Sequence, residues 1–281
     1  MNGILYIVIA SLLFGLSPSL DKLLLIHGIP DESIILFSCM VTFLICTVTL
    51  MHQKKSPRIN PEKALLLMLV GALGHAATGL FLLWSYSLIS VSLSTFLHFS
   101  YPAIVILASV IIFHENLTRN KVGGILLAGV GMLLISGEIH FNGSVITVIP
   151  ALLSAVSYAV YLIAGESDHF REIPLDIRMF YYLLGSVFLA IPLSLYRHTA
   201  ISVSAPSGIL IFLLSLISYV AYKSINCGIS AMGAANAAFL NLLEPVFGVL
   251  FSVMILKERL SFASFIGCTL TALSSLFLNF S

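Results

Sequence analysis

Long apolar stretches dominate this chain, broken at intervals by short polar, turn-forming clusters. Cutting at those clusters leaves ten apolar segments with approximate limits 3–26, 32–51, 63–87, 90–113, 119–138, 144–166, 176–197, 207–229, 233–256 and 261–280. A helix crosses a bilayer in about 20 mostly apolar residues, so each segment is long enough to span. The breaks read HGIPDES, HQKKSPRINPEK, HENLTRN, EIHFNGS, ESDHFREIPLD, RHTAISVSAPS and KERLS, with two fainter ones at Ser90–Ser92 and Ser230–Gly233. The runs are too long for barrel strands and lack a two-residue alternation, which excludes a transmembrane β-barrel. The pattern therefore predicts an all-α polytopic membrane protein of ten transmembrane helices.

The pattern also repeats. Residues 101–118 read YPAIVILASVIIFHENLT and residues 244–261 read EPVFGVLFSVMILKERLS, 143 positions later. Pro102, Leu107, Ser109, Val110, Ile112, Glu115 and Leu117 recur as Pro245, Leu250, Ser252, Val253, Ile255, Glu258 and Leu260. An offset of 140 aligns Gly3 with Gly143 and Ile89-Ser90 with Ile229-Ser230. The halves then run 1–140 and 141–281, with five spans each. An odd number of spans turns the second half upside down relative to the first. An inverted five-plus-five repeat is the architecture of many transporters, which bind solute where the halves meet.

Composition strengthens the membrane reading. The chain is 59% hydrophobic and 9% charged, with net charge +1, and its mean hydropathy is +1.09. Soluble domains carry about 25% charged residues, so the lipid bilayer must be the solvent for most of this surface. The near-zero charge points to no nucleic-acid partner. The N-terminal run has no basic residue before it and no small-residue cleavage site, and is expected to be the first span rather than a signal peptide. Lysines and arginines set orientation. With the N-terminus inside, inner loops hold eight (Lys54, Lys55, Arg58, Lys63, Arg119, Lys121, Arg171, Arg178) and outer loops three (Arg197, Lys257, Arg259), predicting cytoplasmic termini. Cys39, Cys46, Cys227 and Cys268 form no CxxC pair and are expected to be free buried thiols.

Several polar residues sit inside the apolar runs. Pro102 and Pro245 lie near the middle of the fourth and ninth spans, and are expected to bend them and free the carbonyls of His98 and Asn241. The offset of 143 superposes His98 on Asn241 and Tyr101 on Glu244. Bent helices with loosened backbone at mid-membrane are how transporters build sites. His98, Tyr101 and Asn241 are thus candidate substrate ligands. Glu244 is the candidate proton-coupling group, because a mid-span carboxylate must be protonated, paired or facing water. Lys223 lies about five residues, ~7.5 Å, inward of the centre of the eighth span, where it could pair with Glu244 or hold a substrate carboxylate.

Tyr158 with Tyr161, Tyr219 with Tyr222, and His75 with Thr78 each share a helix face at i, i+3. His75, Tyr158, Tyr161 and Tyr222 are candidate lining for a flat or cationic organic ligand. Trp84, near the outer end of its span, suits the interfacial aromatic belt. Glu115 and Glu258 end the fourth and ninth spans and are expected to lock helical hairpins, Glu115 with Arg119 nearby, ahead of the N-caps Thr118 and Ser261. Gly123, Gly124, Gly129 and Gly131 mark the fifth span as a close-packing helix, within its half or at a homodimer face. HExxH, GxSxG, Walker and GxGxxG signatures are missing, so no cofactor, metal site or catalytic residue is expected. An intramembrane enzyme would need acids or histidines clustered near one face, and a channel would need a ring of subunits.

Phe14-Gly15 with Lys22, His98-Phe99-Ser100-Tyr101-Pro102, Leu243-Glu244-Pro245 and Leu256–Ser261 together resemble the drug/metabolite transporter superfamily, EamA-like branch, over the whole chain. The resemblance implies two inverted five-helix repeats around a central cavity and transport of small metabolites such as amino acids, sugars, nucleosides or amines. Phe14 stands where that family often has Trp, and Lys223 where it usually has an apolar or aromatic residue. The expected partners are a small organic solute, protons and the bilayer. The chain is expected to act as a monomer or homodimer in the plasma membrane, of the bacterial inner-membrane kind, and to export its solute.

Overall fold

A computed structural model describes residues 3–137, 144–196, 205–257 and 259–275. Among them are fourteen α-helices, and no strand. The first half comprises α1 (Gly3–Ile26), α2 (Asp31–His52), α3 (Pro61–Val70), α4 (Ala77–Tyr86), α5 (Val91–His98), α6 (Tyr101–Ile112) and α7 (Arg119–Ser136). The second comprises α8 (Ile149–Glu166), α9 (Asp168–Arg171), α10 (Leu175–Tyr196), α11 (Ala205–Met232), α12 (Ala234–Leu240), α13 (Glu244–Ile255) and α14 (Phe262–Ser274). Nine helical stretches among the described residues are long and apolar enough to cross a membrane. The tenth expected segment is described only in part, and its helix α14 has 13 residues.

The boundaries follow local chemistry. Thr118 caps α7 by accepting from the Lys121 amide at 3.2 Å, and Ser261 caps α14 through the Ser264 amide at 3.0 Å, as the sequence suggested. At the faint break before α5, Ser90 accepts from the Leu93 amide at 3.3 Å. At the other, Gly233 adopts φ +82°, a left-handed turn that glycine allows and that separates α11 from α12. The third span holds a surprise: a π-helical turn, Gly71–Ala76, separates α3 from α4. There α10 comes so close that a side chain at position 71 would collide with the Tyr182 backbone. Such π turns inside α-helices often mark functional sites.

Packing relates the two halves by an approximate two-fold. α1 packs on α11 and α13, while its counterpart α8 packs on α4 and α6. α2 with α10, α6 with α12, and α7 with α14 each join a span to its own repeat. The α7–α14 contact revises one expectation. Gly131 lies against the Gly267 carbonyl and Thr271, and Gly267 against the Gly131 carbonyl. These small residues bind the two halves together, rather than packing within one half. Gly123 and Gly129 meet no neighbour. Large apolar side chains point outward all round, among them Leu126, Ile111, Ile209 and Met254. That is the surface a lipid solvent requires, and the protein is a multi-pass membrane protein.

Candidate functional site

The fourth and ninth spans both break at the places the repeat singled out. α5 ends at His98, and α6 starts again at Tyr101 with Pro102 in its first turn. α12 passes into a 3-10 turn, Asn241–Leu243, before α13 starts at Glu244 with Pro245 in its first turn. Each proline sits where a helix has no use for its amide. The carbonyl of Asn241 does not stay free as expected. The tighter turn lets the Glu244 N–H reach it three residues on.

Asn241 is the hub that joins the halves. Its Nδ2 donates to the Tyr101 hydroxyl at 2.9 Å and to Glu244 Oε2 at 2.9 Å. Its Oδ1 accepts from the Ser11 hydroxyl at 2.8 Å. The fully buried amide thus uses both of its N–H donors and one lone pair of its oxygen. Three spans thereby meet at one side chain. Glu244 keeps some exposure while Tyr101 has none.

The Phe14-Gly15 pair explains how α1 gets close enough. A side chain at position 15 would collide with Phe247 and the Glu244 carbonyl at 2.7–2.8 Å. Phe14 meets Tyr222 edge-on, with ring centroids 5.0 Å apart.

The remaining aromatic candidates form a continuous wall. Tyr101 and Tyr158 are 4.6 Å apart, His98 and Tyr158 5.8 Å, and Tyr158 and Tyr161 are stacked at 6.3 Å. Tyr161 then meets Tyr222 at 6.0 Å, and His75 lies 4.2 Å from Tyr222. Serines orient both histidines. Ser154 donates to the Ala151 carbonyl at 2.6 Å, so at 3.0 Å the His98 Nδ1–H is the donor to its oxygen. Ser186 donates to the carbonyls of Gly71 and Tyr182 at 3.0 and 2.9 Å. His75, on the π turn, donates to it from Nδ1 at 2.8 Å. That tautomer leaves His75 Nε2 as a bare acceptor, buried and without a partner.

The comparisons with known proteins bear on this arrangement. The model of the EamA-like transporter family matches twice, over residues 1–137 and 145–280. The chain belongs to the EamA-like transporter family. Membership places it among membrane transporters rather than enzymes. No curated protein matches. Among solved structures, a crystal structure of a protein superposes with a TM-score of 0.84 at 16% identity, over 98% of this chain and 96% of that one. At that identity the likeness concerns the fold alone. In this EamA-like chain Leu243-Glu244-Pro245 forms the end of the 3-10 turn and the first turn of α13.

Two expectations need correction and one lies out of reach. Lys223 does not pair with Glu244. Its Nζ reaches Asp176 Oδ1 at 2.8 Å, and Asp176 Oδ2 takes Lys55 at 2.6 Å. Five residues of depth proved short enough for a lysine stem to reach toward the membrane face. Glu115 is paired with Lys121 at 3.1 Å rather than with Arg119. Glu258 lies outside the described residues. Trp84 is half exposed, as a belt residue would be.

Sequence reasoning missed Ser11, Ser154 and Ser186, because serine is common in spanning helices and usually bonds its own backbone. It also missed Asn226, whose Nδ2 donates to the Tyr161 hydroxyl at 2.7 Å. Asn226 is one turn from Tyr222 on the same face, so i, i+4 spacing could have found it.

The Lys55–Asp176–Lys223 cluster ties α2's end, α10 and α11 together. Asp176→Asn is expected to lower stability by about 1–2 kcal/mol, below the range for fully buried pairs because both lysines keep exposure. Thermal unfolding in detergent checks this. Adding Lys223→Met should recover part of the loss, since it removes the stranded charge.

Proposed function

We propose that this EamA-like protein is a secondary transporter that exports a small organic solute, of amino-acid or amine type, across the plasma membrane by alternating access. One observation carries the reading: two broken helices, one from each half, face each other through Asn241, Tyr101 and Glu244 beside an aromatic wall. Hydrogen bonds that join the halves at mid-membrane are the contacts that must exchange when one half rocks against the other. The wall of His75, His98, Tyr158, Tyr161 and Tyr222 offers ring faces to a cation, and His75 Nε2 offers it an unused acceptor. Glu244 is the group we assign to the proton. Pro102 and Pro245 place the two breaks.

The proposed topology has ten spans in two inverted five-helix repeats, with both termini in the cytoplasm. Transport is read by counterflow in proteoliposomes: vesicles loaded with unlabelled solute take up the labelled one transiently above its outside concentration. Candidate solutes come from a thermal-shift screen of amino acids, amines, sugars and nucleosides, because a ligand stabilises the state it binds. Folded protein that shows no counterflow with any hit overturns the reading.

A further inference from the structure

A second site lies away from the paired breaks, where α8, α10 and α11 end or begin at one membrane face. A pocket of about 470 Å³ opens there, lined among others by Glu166, Ser167, Arg171, Arg178 and Ser230. In the topology proposed above, this face is cytoplasmic.

Arg178 is the feature that needs explaining. It is only 7% exposed. Its Nη1 donates to the Gly165 carbonyl at 3.0 Å and its Nη2 contacts the Ser230 hydroxyl at 3.5 Å. Its Nε is buried without a partner. Among the described residues no carboxylate pairs with it. Asp176, two positions earlier, is held by Lys55 and Lys223. Asp168 is held by Arg171 at 2.9 Å. A buried guanidinium resting on neutral acceptors is costly, and it is suited to a planar carboxylate. Glu166 lines the same pocket. It bonds the Ala234 amide at 2.6 Å through Oε2 and forms no ion pair with Arg178.

The pocket is lined by the guanidinium groups of Arg178 and Arg171 and by the carboxylate of Glu166, so it offers both signs of charge, as a zwitterion requires. Beside the pocket residue Gly165 lies Asn226 Oδ1, a further buried polar atom without a partner. We propose that this pocket is an inner binding station for a zwitterionic amino acid, with the carboxylate on Arg178 and the ammonium group at Glu166. The station's place in transport rests on the transporter reading above; binding to it does not.

Binding is measured on the purified full chain in detergent, by calorimetry and melting temperature. The probes are the L-amino acids singly, propionate and propylamine as single-charge halves, and inorganic phosphate. At least one amino acid is expected to bind more tightly than either half. Arg178→Lys keeps the charge but loses the fork, and is expected to weaken that binding about 30-fold or more. Glu166→Gln should weaken the amino acid while leaving propionate unchanged, and it covers the case in which Arg178→Lys does not fold. The proposal is overturned if no amino acid binds, if phosphate binds in their place, or if the folded variants bind as the parent does. Counterflow separates the two readings. Transport with Arg178-independent binding sinks the station alone, whereas Arg178-dependent binding without counterflow sinks the transporter and keeps the station.

Discussion

Glu244→Gln is expected to abolish solute accumulation driven by an imposed pH difference, while leaving the fold intact. The glutamine side chain has the same size, and its carbonyl oxygen accepts the Asn241 Nδ2–H as Glu244 Oε2 does at 2.9 Å. What it loses is the ability to exchange a proton. In the parent, a carboxylate inside an apolar bundle has two costs to choose between, holding a charge or holding a proton. The half of the cycle that brings water to Glu244 favours release, and the half that buries it favours uptake. In the proposed cycle, that alternation is what couples a proton to the solute. The experiment compares proteoliposomes with and without a pH difference. The variant should equilibrate solute but not concentrate it, whereas exchange of labelled for unlabelled solute, which needs no net proton movement, should suffer less. Accumulation in the variant that still follows the gradient would sink the proton role.

Tyr101 stands in the first half where Glu244 stands in the second, and the symmetry of the fold makes that difference informative. The halves pack alike, and both helix breaks occur at the same repeat position. The scaffold is therefore two-fold while its chemistry is not. One break carries an imidazole and a phenol, the other an amide and a carboxylate. A carrier needs the symmetric part to exchange inward and outward states at similar energy, since a rocking motion that maps one half onto the other costs little. It needs the asymmetric part to distinguish solute from proton.

Most of the helical layout was legible because lipid imposes a coarse rule: about 20 apolar residues, then a polar break. The repeat added the breaks in the fourth and ninth spans, and Pro102 and Pro245 marked them to within one turn. Candidate site residues were legible where a polar side chain stood out against apolar neighbours, as at His98, Asn241 and Glu244. Pairings were not. Asp176 reads as a loop charge, yet it lies at the start of α10, 9% exposed, and captures Lys223 from the eighth span. Arg178 counted toward orientation as a loop residue, yet it is buried and lines the pocket. Both lie where a span meets its loop, and there sequence does not say whether a charge turns toward water or toward the bundle. The π turn at Gly71–Ala76 had no signal beyond two glycines, because it results from α10 pressing on the third span.

Asn241→Leu is expected to have the second large effect, on stability and transport together. Leucine shares asparagine's branching and suits an apolar bundle, but its two methyl groups are bulkier than the amide's oxygen and NH2, so at this fully buried position some overpacking adds to the lost hydrogen bonds. Ser11 still has the Ile7 carbonyl at 2.9 Å. Tyr101, fully buried, loses the donor to its hydroxyl, and Glu244 loses the amide beside it. Leaving buried polar groups unsatisfied costs about 1–3 kcal/mol each, so a loss of about 2–4 kcal/mol is expected. Asn241→Asp separates the two consequences. It keeps the oxygen that accepts from Ser11 but sets a second carboxyl beside Glu244, where two neighbouring carboxylates resist being charged together. The leucine variant should unfold at markedly lower temperature in detergent. The aspartate variant should fold better than the leucine one, yet move its solute with an altered dependence on the imposed pH difference. If Asn241→Leu melts with the parent and transports normally, the bonds through Asn241 do not hold the halves together, and the rocking contact must lie elsewhere.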